Sequence, residues 1–151
     1  MAEAENIVNR MYSNDTFSKW LGITLDKVDV GFAQISMIVN GNMLNGFGIA
    51  HGGITYSLAD SAFAFASNSQ GRHAVSIETS ISHTKTVKEG DQLTAVAKED
   101  NLSNRLGIYT ITVTNQDNDV VALFKGTVFR KDTLWSESAR PEQNRNTPSN
   151  D

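Results

Sequence analysis

The feature that most constrains this chain is one long apolar helix, predicted at 51–69. Its large side chains and alanines leave little polar surface, which is typical of a helix buried on nearly all sides. Two glycines, Gly52 and Gly53, stand at its start, and Gly71 lies just beyond its end, in a stop position. A single carboxylate, Asp60, lies about two turns into the helix. The fold must therefore wrap this helix closely and still give Asp60 a partner or a task.

Most of the remaining apolar residues alternate with polar ones, a pattern that predicts half-buried β-strands. Two strands are predicted before the helix and four after it, at 23–28, 32–39, 74–86, 92–102, 106–115 and 120–130. Because their connections are short, we expect antiparallel pairing. The predicted fold class is α+β, with a curved antiparallel sheet of five to six strands around one central helix.

The 151 residues are predicted to form one main domain at 17–131, preceded by a helical segment at 1–16 and followed by a disordered tail at 132–151. Without cysteine, the chain has no disulfide and no thiolate nucleophile. A net charge of −4 argues against nucleic acid as the main partner. No apolar leader or membrane-length apolar stretch is visible, so we expect a cytoplasmic protein without a membrane partner.

The start of the helix and Asp60 provide the candidate catalytic groups. The first N–H groups of a helix have no intrahelical acceptor and lie at the positive end of its dipole, which suits them to hold an oxyanion. A carboxylate in an apolar groove has a raised pKa, which suits base catalysis near neutral pH. Gly52 and Asp60 are separated by about 12 Å along the helix, too far to act on one carbonyl. The spacing therefore predicts a composite site in a dimer, in which a second, antiparallel helix brings its Asp60 to Gly52.

Several segments resemble one family, the hotdog-fold acyl-CoA thioesterases, and within it the PaaI-type phenylacetyl-CoA thioesterases. They are Asn45, the triplet 51–53, the run 57–71 with its Leu-Ala-Asp, and the hairpin 109–126. The resemblance covers roughly 17–131. It implies hydrolysis of an acyl-CoA thioester, aryl- or arylacetyl-CoA in this subgroup, with medium-chain acyl-CoA as the alternative. It also implies a homotetramer of two hotdog dimers, active sites at the dimer interfaces, and no metal or cofactor.

The same resemblance implies roles for individual residues. The Gly52 N–H polarises the thioester carbonyl, and Asp60 of the partner subunit acts as general base or nucleophile. Asn45 orients water or the carbonyl, and His51 is a positioning group. Candidate substrate contacts are Gly53, Phe47, Ser76 and His83. Relatives usually carry an apolar run ending in Arg-Pro where this chain has the polar 82–86, a difference that bears on the acyl group.

Each of these signals also has a structural interpretation. Two adjacent glycines form tight turns more often than oxyanion holes, and Asp60 alone could be a structural carboxylate bonded to backbone or serine. Phe63 and Phe65 are expected to be core residues, while the aromatic-rich surroundings of Phe47, Ile49, Phe63 and Phe65 favour an aryl acyl group. Six scattered basic residues are candidates for contacts to CoA phosphates: Arg72, Lys85, Lys88, Lys125, Arg130 and Lys131.

Two other functions stay open at this point. A hotdog hydratase or dehydratase uses a histidine–acid pair at the helix, and no helix histidine lies within a turn of Asp60. The other is a non-catalytic oligomer, either acyl-CoA-binding or purely structural. His73 and His83 have no acidic or cysteine partner at the spacing of a metal site, so no metal is expected.

Overall fold

The computed structural model describes residues 2–137. Helices α1 (Ala2–Asn14) and α2 (Thr16–Trp20) precede strands β1 (Thr24–Asp29) and β2 (Phe32–Ile38). A short 3₁₀ turn (Gly41–Met43) leads to the central helix α3 (Gly52–Asn68). Four strands complete the order: β3 (Arg72–His83), β4 (Gln92–Leu102), β5 (Leu106–Thr114) and β6 (Val120–Leu134).

All six strands form one antiparallel sheet in the order β1-β2-β4-β5-β6-β3, so that β1 and β3 are its edges. The alternation in the sequence sets which face is buried, as in β5, where Tyr109, Ile111 and Val113 are inaccessible to solvent. This face curves around α3, which contacts β2, β3, β4, β5 and β6. The predicted α+β fold is confirmed.

The close wrapping of α3 depends on one glycine of the sheet. The ring of Phe63 packs between Tyr109 and Phe124, with centroid distances of 5.8 Å to each. It also lies directly over Gly126, where an added Cβ would come within 2.5 Å of the Phe63 ring. Gly126 is therefore required for this approach, because any side chain there would displace the helix or the strand.

Both ends of the described chain pack against the rest of the fold. Ala4, Ile7 and Val8 of α1 are buried, and Val8 belongs to the core, so the N-terminal helical segment packs with the rest of the fold. At the other end, regular structure continues past residue 132, the predicted start of the tail. Strand β6 continues to Leu134, and the ring of Trp135 stacks on His73 with centroids 4.2 Å apart. The rest of the predicted tail, 138–151, lies outside the described residues.

No helix between residues 2 and 137 is both long and apolar enough to cross a bilayer.

Candidate active site

The loop before α3 is fixed by backbone contacts and by one amide side chain. Asn45 Oδ1 accepts the N–H groups of Phe47 and Ile49 at 2.9 and 3.4 Å. The Ala50 N–H donates to the Val87 carbonyl at 2.9 Å. Since the Asn45 oxygen is occupied, its Nδ2 group is the part of the side chain left to act on a ligand, as a donor.

His51 caps the helix and accepts the N–H of only one of the two glycines that follow. Its Nδ1 accepts the Gly53 N–H at 2.9 Å, which requires a ring without a proton on Nδ1. The Gly52 N–H has no acceptor among residues 2–137. The helix therefore presents one free N–H at its positive end, at Gly52, while the N–H of Gly53 is already paired.

Gly52 borders a cleft of about 370 Å³, which we call the polar cleft. Asn45, Thr55 and His83 contribute polar side chains to it, and Lys85 is the one of the six candidate basic residues that lines it. The remaining lining residues are Ile49, Ala50, Thr84, Thr86 and Val87. Among residues 2–137, the lining of the cleft contains side-chain donors and no carboxylate, although Lys85 is paired with Asp119, which is not a lining residue. Together with the free N–H of Gly52, these donors suit a carbonyl oxygen that gains negative charge.

His83 explains why residue 52 has no side chain. It is the last residue of β3 and pairs with buried Ala122, so its side chain lies on the helix face of the sheet. A Cβ at position 52 would lie 3.2 Å from His83 Nε2, tighter than an ordinary contact. Glycine therefore keeps the ring and the helix start in contact.

Asp60 lies apart from this cleft. It is half-buried on α3, and burial raises the pKa of its carboxyl above the ordinary value. Between residues 2 and 137 no hydrogen bond or ion pair engages it. A structural carboxylate would have such a partner, so this geometry favours the functional interpretation of Asp60.

The other predicted contacts are distributed unevenly. Ser76 pairs with buried Val128 across the sheet and so lies on the helix face of β3, but its side chain is exposed in the single chain. Phe47 is 91% exposed and is not part of the polar cleft. Phe63 and Phe65 are each 1% exposed, so they are core residues and give no support to an aryl-binding site.

One residue of the cleft was missed by the sequence reasoning. Thr55 is 3% exposed and lines the polar cleft from within α3. Its spacing from Gly52 offered a signal, since residues three apart lie on one face of a helix. A threonine in an apolar helix is otherwise unremarkable, and nothing in its neighbours drew attention to it.

Comparison with known proteins decides the family. A model described as the thioesterase superfamily matches residues 47–122. The acyl-coenzyme A thioesterase PaaI of Escherichia coli is 45% identical over 116 residues, which are 77% of this chain and 83% of that protein. The chain belongs to the thioesterase superfamily. The family expected from the resemblance, and with it the enzyme class, is confirmed.

The hotdog structure supports the same assignment. The E. coli PaaI protein, from the phenylacetic acid degradation operon, matches with a TM-score of 0.86 and 41% identity, over 88% of this chain and 96% of that one. A putative esterase of Archaeoglobus fulgidus is 44% identical over 126 residues, 83% of this chain and 82% of its own. A Streptococcus mutans protein solved bound to acetyl CoA matches with a TM-score of 0.71 and 29% identity, covering 72% and 88% of the two chains. This thioesterase thus matches its relatives across most of their length.

Proposed function

We propose that this thioesterase hydrolyses acyl-CoA thioesters at a composite site, formed by Gly52 of one copy and Asp60 of a second. The observation that carries the proposal is the pair of unused groups on α3. The Gly52 N–H lacks an acceptor and the Asp60 carboxylate lacks a donor within the described chain, and about 12 Å of helix separates them. Similarity to PaaI of E. coli, named an acyl-coenzyme A thioesterase, supports acyl-CoA as the substrate class.

The placement of α3 beside β3 favours this arrangement. The helix runs antiparallel to the strand, because Gly52 lies at His83, Tyr56 bonds Thr79 at 2.6 Å, and Asn68 bonds Ala74. The outer edge of β3 is unpaired in the sheet described here. A second copy docked on this edge about a two-fold axis would carry its own helix in the opposite direction, bringing its Asp60 towards Gly52.

The exposed side chains of β3 also favour a partner at this edge. Val75 is 40% and Ile77 58% exposed, although both are large and apolar. Exposed apolar residues on an unpaired edge strand favour pairing with another chain. We therefore propose a dimer built on β3, and a tetramer of two such dimers in line with the family resemblance.

The chemistry would proceed in two stages. The thioester carbonyl oxygen accepts the Gly52 N–H and the Nδ2 group of Asn45, so that both donors strengthen their contacts as the oxygen becomes negative. Asp60 of the second copy takes a proton from water, and the resulting hydroxide adds to the carbonyl carbon. Collapse of the tetrahedral intermediate breaks the carbon–sulfur bond, leaving the acid and the CoA thiolate, which takes up a proton.

The raised pKa of Asp60 fits this role as a general base. A base with a pKa nearer to neutral binds the proton of water more strongly than an ordinary carboxylate does. Since the base must be ionised, kcat/KM is expected to fall as the pH drops through the raised pKa of Asp60. If Asp60 were instead the nucleophile, its carboxylate would displace the CoA thiolate and form a mixed anhydride with the acyl group. Hydrolysis of that anhydride at the Asp60 carbon, in a single turnover in ¹⁸O-labelled water, would place the label in the Asp60 carboxyl, a result that general-base catalysis does not give.

The central test is Asp60→Asn, assayed as free thiol release from acyl-CoA esters. Loss of the base should lower kcat by about 10²- to 10⁴-fold. Desolvation disfavours the charged carboxylate in the fold, so the variant should also melt at a higher temperature at neutral pH. The matched control is Asp117→Asn in the exposed β5–β6 turn, with unchanged rate. A rate above about half that of the unaltered protein would remove Asp60 from the mechanism.

The acyl group is proposed to be an aryl or arylacetyl group, in line with PaaI of the phenylacetic acid degradation operon. Phenylacetyl-CoA should then have a higher kcat/KM than acetyl-CoA or medium-chain esters on one preparation. An advantage of about tenfold or more for acetyl or medium-chain esters, about 1.4 kcal/mol in transition-state binding, would overturn the aryl assignment and leave the thioesterase assignment intact.

A further inference from the structure

The start of α3 separates two clefts of different chemistry. Gly52 borders the polar cleft, and Gly53 borders a second depression of about 290 Å³, which we call the aromatic groove. Its walls come from α2, from the 3₁₀ turn and from the first turn of α3, and its most prominent side chains are Phe17 and Trp20. Consecutive Cα atoms are about 3.8 Å apart, so a group held at the Gly52 N–H has access to both clefts.

Phe17 and Trp20 are presented to solvent by a segment that is anchored through other residues. Asp15 caps α2 by accepting the Ser18 N–H at 2.9 Å, and the buried Ser18 hydroxyl bonds Ser61 of α3 at 2.9 Å. The two rings themselves stay open, with Phe17 50% and Trp20 76% exposed. Because α2 is held without them, these rings are available for a ligand.

Within residues 2–137, no Lys, Arg, Asp or Glu side chain lines the groove, and its polar members are Asn42, His51 and Ser57. Lys19, between the two rings in sequence, is directed elsewhere: its ammonium donates to the Ser13 carbonyl at 2.6 Å and lies 5.8 Å from the Tyr12 ring centroid. Leu21, Met43, Leu44 and Ile54 supply aliphatic surface. A wall of mainly aromatic and aliphatic side chains suits an apolar group better than the phosphates of CoA.

We propose that the aromatic groove holds the apolar acyl group of the substrate, while the polar arm of CoA leaves through the polar cleft. The inference rests on the proposed thioesterase function. A cavity of about 150 Å³ accommodates a benzene ring, so the groove is large enough for an aryl group. The rings of Phe17 and Trp20 lie 6.1 Å apart at 44°, and a third ring can pack against them edge-on or offset.

Trp20→Ala and Phe17→Ala test the groove. With phenylacetyl-CoA, Trp20→Ala should lower kcat/KM about tenfold through loss of aromatic contacts, whereas acetyl-CoA should change by less than about twofold. The control is Ile38→Ala, another exposed apolar side chain, 63% accessible on β2 and outside both clefts. Equal losses with both esters, or no loss with phenylacetyl-CoA, would overturn the inference.

The affinity for each CoA ester, measured by calorimetry, tests this inference independently of the proposed hydrolysis. If the unaltered protein hydrolyses no ester, the proposed function fails, and the groove is then judged by affinity alone. Trp20→Ala should abolish the preference for phenylacetyl-CoA over acetyl-CoA. Sedimentation adds a second check: dissociation of the oligomer by Trp20→Ala would show that a second copy of the chain covers the groove, and would refute its assignment to the acyl group.

Discussion

The two ends of α3 differ in whether the polar groups there have hydrogen-bond partners. At the C-terminal end, Asn68 Nδ2 donates to the carbonyls of Ala64 and Ala74 at 3.0 and 3.1 Å. Its Oδ1 accepts the Ala74 N–H and the indole N–H of Trp135, each at 3.0 Å. At the N-terminal end, the Gly52 N–H has no acceptor within residues 2–137, and Gly52 borders the polar cleft.

Every helix has unpaired groups at both ends, so the difference reflects what each end is used for. Asn68 is 4% exposed and ties α3 to β3 and to the end of β6, a role that concerns stability. Gly52 is exposed, and its N–H can be satisfied by water until a substrate replaces it. We therefore expect changes at the N-terminal end to alter turnover and changes at the C-terminal end to alter folding.

Among changes at the two ends of α3, the largest effect should follow from Gly52→Pro, compared with Gly52→Ala. Proline at the first position of a helix removes the N–H without disturbing the helix, and the extended φ and ψ of His51, −61° and 135°, suit a residue before proline. Both variants add a Cβ against His83. Proline also carries the ring carbons Cγ and Cδ, which alanine lacks, at the nitrogen that has lost its N–H. Loss of this donor should lower kcat by about 10²- to 10³-fold beyond the alanine variant. Similar rates for the two variants would exclude the Gly52 N–H as the oxyanion donor.

Mixing inactive subunits sharpens the same comparison. A dimer of one Gly52→Pro copy and one Asp60→Asn copy would contain one site with both groups intact and one with neither. After unfolding and refolding an equal mixture, half of the dimers are mixed, and activity should recover to about one quarter of the unaltered value. A site contained in a single chain would give no recovery, so the absence of activity would refute the composite arrangement.

At the C-terminal end, Asn68→Ala should act on stability instead. It would remove Asn68 as the partner of two partly buried backbone groups of Ala74 and of the Trp135 indole N–H, at a cost of about 3 kcal/mol in the free energy of unfolding. Urea denaturation measures this loss, and the kcat of the folded fraction should stay unchanged. Asn68→Asp is the matched variant, because it keeps the acceptor for Ala74 and Trp135. A large loss of kcat in folded Asn68→Ala would contradict the division between the two ends.

The two ends of α3 differ in how much a sequence can indicate about them, for physical reasons. The hypothesis for Gly52 and Asp60 follows from local rules about helix starts and from a spacing along one helix. The contact of Asn68 with Trp135 joins residues 67 positions apart, and a lone tryptophan in a polar segment carries no periodic signal. The continuation of β6 to Leu134 and the packing of Trp135 on His73 were therefore not predicted.

The aromatic residues show the same limit of prediction from sequence. Phe63 and Phe65 lie in the apolar helix and are buried as such a helix demands, while Phe17 and Trp20 have the spacing of an ordinary buried face. Only the fold shows that Ser18 and Leu21 anchor α2 and leave those two rings exposed. Strand positions and the buried face were predictable from alternation, because that pattern is itself the consequence of burial on one side of a sheet.

The smallest expected effect is the pH dependence of stability that His73 contributes beside the C-terminal end of α3. Burial against Trp135, followed by the charges of Lys131 and Arg10, lowers the pKa of this ring from its ordinary value of 6.5. As the pH falls below 6.5, the unfolded chain takes up a proton before the folded one does, so the free energy of unfolding decreases until the lowered pKa is passed. Above that window the ring is neutral in both states and contributes no pH dependence.

His73→Phe isolates this contribution, since phenylalanine can stack on Trp135 but does not titrate. The stability difference between the two proteins, followed by urea denaturation from neutral to mildly acidic pH, should move in favour of the variant as the pH falls. The shift should be smaller than the loss in Asn68→Ala, because the ring is only partly buried and solvent screens the neighbouring charges. The kcat of the folded protein should not respond to the substitution, because His73 lies at the structural end of α3. A shift in the pH profile of kcat in His73→Phe would therefore show that the C-terminal end of the helix affects turnover. That result would contradict the assignment of turnover to the N-terminal end and stability to the C-terminal end.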